Sequence, residues 1–179
     1  MPIEMGGQMK FLSGMLFGFA LLLVGGAGVV WGGLFNTAAI VPPGALERRV
    51  ARFALDRSVH RRAPKATSPL RLDPEVLRGG LAHYKGMCVS CHGAPGVDAS
   101  EAGEGLNPPA TDLSLGRVQE RTDGELFWIV QGGIRMTGMP AFGPTHKDEE
   151  IWKIVAFVRR LPALSPEESR ELKGDGAKD

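Results

Sequence analysis

Cys88-Val89-Ser90-Cys91-His92 gathers the only two thiols of the chain and an imidazole within five consecutive residues. On a helix, positions three and four apart share a face. Both thiols and the ring can then point toward one flat ligand. This C-x-x-C-H spacing reads as the attachment site of a c-type haem. Cys88 and Cys91 would bond covalently to the macrocycle edge, and His92 would take an axial position on iron. Two other chemistries use parts of the same set. A redox disulfide between Cys88 and Cys91 wants an alternating strand–helix context, which does not flank the motif. Structural zinc wants four ligands. His60, His83 and His146 are scattered, with no paired H-x₃₋₅-H spacing.

Met136-Thr137-Gly138-Met139-Pro140 is the second chemical segment. A residue before proline is pushed out of the helical region, so Met139 belongs on an extended loop. From there its thioether could reach across the haem face. Met136, three positions away, points to the opposite side of an extended chain. Met139 is therefore expected as the second axial ligand, with Met136 and Met87 left to core packing. His/Met ligation fills both axial positions and raises the reduction potential. The expected task is single-electron transfer through the haem edge, not catalysis. The competing class is a haem enzyme or gas/redox sensor with an open or displaceable distal site. Such a site would want a distal His or Arg. His146 reads instead as a helix-start residue, and Arg135 as a partner for a haem propionate, as does Trp128 through its indole N–H.

The elements that must position these residues are all helical, and no segment alternates like a strand. Asp73-Pro74 is a helix start, a cap residue followed by proline at the first position, and that helix is expected to run to about Cys91. Thr122-Asp123-Gly124-Glu125 is a capping box opening a helix through Phe127, Trp128 and Val130 that stops at Gly132-Gly133. A third helix covers roughly 148–161, and Ser165-Pro166-Glu167-Glu168 caps a short last one. Residues 93–121 are rich in Gly and Pro and poor in regular signals. So long a loop is unusual in a compact domain unless a large prosthetic group supplies the core on which it packs.

The N-terminal part is of another kind. Phe11 to Phe35 carries no charge over 25 residues, between Lys10 and Pro42-Pro43. A helix needs roughly 20 apolar residues to cross a bilayer core, whereas a signal-peptide apolar region is about 7–15. An uncleaved anchor is expected, although Thr37-Ala38-Ala39 resembles a weak cleavage site. Glycines at Gly14, Gly18, Gly28 and Gly32 give the four-residue spacing that lets membrane helices approach closely. This points to partner subunits of a membrane complex. A segment over 46–59 then places Leu46, Val50, Phe53 and Ala54 on one side.

The formal charge of +1 hides a division. Residues 46–65 carry seven basic against two acidic groups, a collar suited to anionic headgroups or an acidic partner. Residues 70–179 carry thirteen basic against seventeen acidic groups. Read literally, the positive-inside rule places the C-terminal side in the cytoplasm. Haem attachment argues the opposite, because in the families that such a motif resembles haem is attached outside the cytoplasmic membrane. The chemistry outweighs the charge bias, so the haem domain is expected in the periplasm. Neither charge nor motif suggests nucleic-acid binding.

Over residues 70–165 the chain resembles the single-haem class I c-type cytochromes, especially the membrane-anchored bacterial kind. In that family a Gly eight residues and an aromatic four residues before the first cysteine pack the first helix on the last; Gly80 and Tyr84 stand there. Ile154 and Phe157 match the answering aliphatic and aromatic residues. A distal Met commonly precedes Pro, as Met139 does. A proline carbonyl usually accepts the proximal imidazole proton, a role the resemblance gives to Pro108 or Pro109. It implies one covalently bound haem c, with Tyr84, Trp128 and Arg135 supporting its pocket, and redox donor and acceptor partners. The expected layout is a cytoplasmic tail (1–10), a single transmembrane helix (11–35) and a basic linker with a short amphipathic helix (36–69). A cytochrome c-like all-α domain around one haem (70–164) and a C-terminal tail with a short helix (165–179) complete the chain.

Overall fold

A computed structural model describes residues 5–173, with side chains from residue 7 onward. The outer parts of the two expected tails, 1–4 and 174–179, lie outside the described residues. Among the described residues every regular element is helical, and the one β-type pairing is an isolated bridge between Ala94 and Val97. The chain divides after Val41 into two compact units.

The first unit is built on α1 (Met5–Trp31), 27 residues with no acidic or basic residue in its end turns. At ~1.5 Å per residue it is about 40 Å long, against a hydrocarbon core of ~30 Å. Its stretch Gly7–Trp31 is long and apolar enough to cross a membrane. The helix stops at Trp31, short of the expected Phe35. Gly33 adopts φ 66°, and the Leu34 N–H turns back to the Val29 carbonyl at 3.0 Å. A glycine in the left-handed region is the usual way to satisfy final carbonyls and end a helix.

The second unit opens with α2 (Ala45–Arg62). Only its C-terminal half is anchored: Val59 is fully buried, and Asp56 pairs with Arg121. The chain after α2 lies so close to Gly124 that a Cβ there would fall 1.9 Å from the Pro64 carbonyl oxygen. Next comes α3 (Pro74–His83), where one Asp73 oxygen accepts the N–H groups of Glu75 and Val76, each at 2.9 Å. That satisfies two of the donors a helix start leaves free. The helix continues through a π turn (Tyr84–Cys88) into α4 (Val89–His92). It therefore runs unbroken through the cysteine motif, as expected.

Two short helices, α5 (Glu101–Glu104) and α6 (Gly116–Gln119), interrupt the segment expected to be irregular. The reciprocal cap of Thr122 and Glu125, at 3.2 and 3.0 Å, starts α7 (Asp123–Gly132), and Gly133 at φ 63° ends it. Then come α8 (Asp148–Arg160), a 3₁₀ turn (Leu161–Ala163) and α9 (Pro166–Lys173). Ser165 and Glu168 cap α9 reciprocally, at 3.1 and 2.6 Å.

The core lies where α3 crosses α8 and α7 joins them. Ile151, Ile154, Val155 and Phe157 of α8 are essentially inaccessible to solvent. Tyr84 meets Phe157 at 5.4 Å between ring centroids, and Phe127 stacks on Trp152 at 4.3 Å. Arg159 closes one end, giving hydrogen bonds to the Asp123 carboxylate and to the Gln119 and Arg121 carbonyls. These bonds tie α8 to the turn that launches α7.

Candidate functional site

The C-x-x-C-H motif sits on the last turns of the long helix, and its surroundings hold it from three sides. The π turn between Tyr84 and Cys88 adds a residue to the helix just before the motif. Such an insertion rotates the next turns of helix about the axis, and π turns concentrate at functional sites. Cys88 is buried, while Cys91 and His92 are half-buried, and the two cysteines are not joined to each other. Burial is the main cause that pushes the Cys88 thiol up to about 12, with the neighbouring Cys91 adding to it. Burial thus favours the neutral thiol over the thiolate.

Gly93 ends the helix at φ 61°, and a Cβ there would meet the Val97 carbonyl oxygen at 2.6 Å. The tight turn from Ala94 to Val97 requires that glycine. The Tyr84 hydroxyl donates to the Gly93 carbonyl at 2.6 Å, clamping the motif's C-terminal end to the start of the π turn. Burial is the largest cause that raises the Tyr84 hydroxyl above its ordinary value, so it stays a donor. From the other side Ser100 gives both its N–H and its hydroxyl to the Ser90 carbonyl, each at 2.8 Å. Gly103 of α5 approaches so closely that a Cβ would lie 2.5 Å from that same carbonyl. The loop after the motif is folded back over it.

His92 carries the clearest chemical information. Its Nδ1 lies 2.7 Å from the Thr111 carbonyl oxygen. A carbonyl only accepts, so Nδ1 must hold the proton. In the neutral ring with that tautomer, Nε2 has the free lone pair through which an imidazole binds a metal. The expected acceptor, the carbonyl of Pro108 or Pro109, does not play this part. Both prolines are exposed, and the chain returns to the ring only at Thr111. A backbone carbonyl can come from any residue type, so no sequence signal distinguishes Thr111.

The methionine loop is closed by its own hydrogen bonds. Ile134 N–H donates to the Met139 carbonyl at 3.2 Å, and the Thr137 hydroxyl to the Ile134 carbonyl at 2.7 Å. The Met139 N–H donates to the Thr137 hydroxyl oxygen at 3.1 Å. Met139 is half-buried, whereas Met136 is 91% exposed at φ 61°. Met136 does not pack in the core as expected, because the turn throws it outward. Gly138 presses on Leu106, where a Cβ would come within 2.4 Å of Cδ2. The methionine loop thus meets the segment that folds over the cysteine motif.

Trp128 is half-buried on α7 and Arg135 is exposed on the methionine loop. His146 stands just before α8, as expected, with its Nδ1 2.8 Å from the Thr145 hydroxyl. Sequence spacing does not reveal its contact with His83, whose ring centroid is 5.4 Å away. Among the described residues no three His, Cys, Asp or Glu side chains gather as a metal site would need. The donor set of the motif fits a haem: two thiols on one helical face beside an imidazole with Nε2 free.

Residues 75–158 match the family described as cytochrome c oxidase, cbb3-type, subunit III. Over 137 residues, 73% of the chain, it is 26% identical to the quinohemoprotein alcohol dehydrogenase of Comamonas testosteroni. The chain spans only 18% of that relative. An all-helical unit built around C-x-x-C-H, a family match over this same segment and a relative named for its haem agree with one another. Residues 75–158 are similar to a cytochrome c domain of the cbb3 type, and these likenesses are consistent with a class I c-type cytochrome.

Proposed function

We propose that this chain is a membrane-anchored, mono-haem c-type cytochrome. Thioethers from Cys88 and Cys91 hold the haem, and His92 and Met139 are its axial ligands. Bound haem supplies one-electron exchange at its exposed edge; with both axial positions filled, oxygen and peroxide find no open site. The protein is thus an electron-transfer subunit rather than an enzyme in its own right. The observation that carries this reading is the 2.7 Å approach of His92 Nδ1 to the Thr111 carbonyl, beside two cysteines one helical turn apart.

α1 is the anchor, and the haem domain lies on the periplasmic side of a bacterial inner membrane. A respiratory or dehydrogenase complex is the setting. The match to a subunit of a cytochrome c oxidase and the likeness to a quinohemoprotein alcohol dehydrogenase both support it. Gly14, Gly18 and Gly28 have open space where a Cβ would stand, so α1 offers shallow grooves to a partner helix. Trp128 and Arg135 support the haem pocket.

Two measurements test the reading. Denatured protein is expected to keep its haem through gel electrophoresis and to gain the mass of one haem. Haem retained by a Cys88→Ala, Cys91→Ala double variant refutes the thioether linkage. Extraction in mild detergent is expected to recover partner subunits. Gly14→Leu with Gly18→Leu should release the cytochrome from them while leaving it in the membrane fraction with an unchanged spectrum.

A further inference from the structure

α2 has two faces with different employment. Leu55 is half-buried and Val59 fully buried, and their side of the helix is turned to the cytochrome domain. Leu46, Val50 and Phe53 succeed one another at spacings of four and three, which places them in one row on another face. They are 75%, 58% and 67% exposed. Arg49, Arg52 and Arg57 stand exposed around the row. Three large apolar side chains are thus presented to the outside within a frame of cations, on a helix held at its other end.

We propose that the N-terminal half of α2, through Leu46, Val50 and Phe53, lies in the headgroup layer of an anionic lipid surface. Apolar side chains sunk to the acyl boundary with arginines at headgroup level make up an interfacial helix. Arginine stems are long enough to follow the apolar row while their charges stay among phosphates. An anionic surface is the complement of the seven basic groups between 46 and 65. A protein partner fits less well. A stable interface takes about 800 Å² from each side, and three side chains on half a helix offer much less. Only residues 32–44 separate α2 from the end of α1. The proposal rests on the reading of α1 as a membrane anchor and adds to it a second, in-plane attachment that limits how the cytochrome domain tumbles.

The test uses the full haem-loaded chain in vesicles of phosphatidylcholine with and without phosphatidylglycerol. Amide exchange is followed over 45–56, and flotation with the vesicles is scored in parallel. The comparison variant is Leu46→Ala, Val50→Ala, Phe53→Ala. Alanine favours helix more than any of the three, so faster exchange in the variant reports lost contact rather than lost propensity. In vesicles with phosphatidylglycerol, wild-type amides are expected to exchange about tenfold more slowly than those of the variant, the factor that burying even one such side chain supplies. The difference should shrink without phosphatidylglycerol. Flotation with equal exchange in the two proteins overturns the lipid face and leaves the anchor standing. Failure to float overturns both. Slowed exchange that appears only with a co-purified acidic subunit also overturns the proposal, and gives the face to that subunit.

Discussion

Gly80 on α3 lies against the backbone of Lys153 on α8 so closely that a Cβ would fall 2.2 Å from its carbonyl oxygen and 2.7 Å from the Phe157 Cβ. Neither atom can swing away, so any side chain at 80 must push the helices apart. Gly79 is the natural control. A Cβ there meets only the Lys153 side chain, at 3.1 Å from a mobile Cδ. Gly80→Ala is expected to cost about 3 kcal/mol, the upper range for overpacking a core. Gly79→Ala should be neutral or stabilise by up to ~1 kcal/mol through helix propensity. Thermal unfolding monitored by far-ultraviolet circular dichroism separates the two; equal effects would show that the crossing is loose.

The Tyr84 hydroxyl and the Gly93 carbonyl give a second test, because a single oxygen atom can be removed. Tyr84→Phe keeps the ring against Phe157 and leaves the Gly93 carbonyl without its donor. An unsatisfied buried acceptor costs about 1–3 kcal/mol. Stability should fall by that amount, and amide exchange of residues 93–97 should accelerate, since this hydroxyl clamps the turn. A loss of stability with unchanged exchange there would confine the role of Tyr84 to the core.

Legibility in the sequence depends on the range of the interaction concerned. Asp73-Pro74, Thr122 with Glu125, and Ser165 with Glu168 are local, and all three form the caps expected of them. The pairing of Gly80 and Tyr84 with Phe157 was legible only through family resemblance, since it joins segments some seventy residues apart. The π turn before Cys88 and the early stop of α1 depend on backbone conformation, which side-chain types only bias. Thr111 was invisible for a simpler reason: its role belongs to a carbonyl that every residue carries. The two faces of α2 were half legible. The row Leu46, Val50, Phe53 stood out as apolar, but an apolar row ordinarily marks the buried side, and here it is the exposed one.

Glu168 links pH to the C-terminal helix. Burial alone would raise its carboxyl, but hydrogen bonds from Ser165 and the Arg160 guanidinium together outweigh that and hold it below its ordinary value. A carboxylate lowered in the folded state stabilises above the unfolded value, ~4.3 for Glu, and loses that contribution as pH falls through the folded value. At neutral pH Glu168→Gln should cost up to about 1 kcal/mol, because glutamine can still accept the Ser165 N–H but lacks the negative charge that favours a helix start, with little from the solvent-screened Arg160 pair. The gap between variant and wild type should close in acid below the ordinary carboxylate range. Melting temperatures across that range check this, and a gap independent of pH would assign the effect to shape alone.

Met139 and Met136 stand only three positions apart, and the loop treats them oppositely. Met139 is half-buried on a segment tied by Thr137 and Ile134, with its neighbour Gly138 held against Leu106. Met136 is 91% exposed at a left-handed φ. A ligand must be held where iron can meet it, and only Met139 is restrained in this way. The oxidised haem protein is expected to show the weak near-infrared sulfur-to-iron band. Met139→Ala should abolish that band and lower the potential by roughly a tenth of a volt or more, within the ~0.8 V range that axial ligation spans. Met136→Ala should change neither. Loss of the band in Met136→Ala with its retention in Met139→Ala would reverse the assignment. The loop would then have to turn its exposed methionine inward, at the expense of the Thr137 and Ile134 hydrogen bonds.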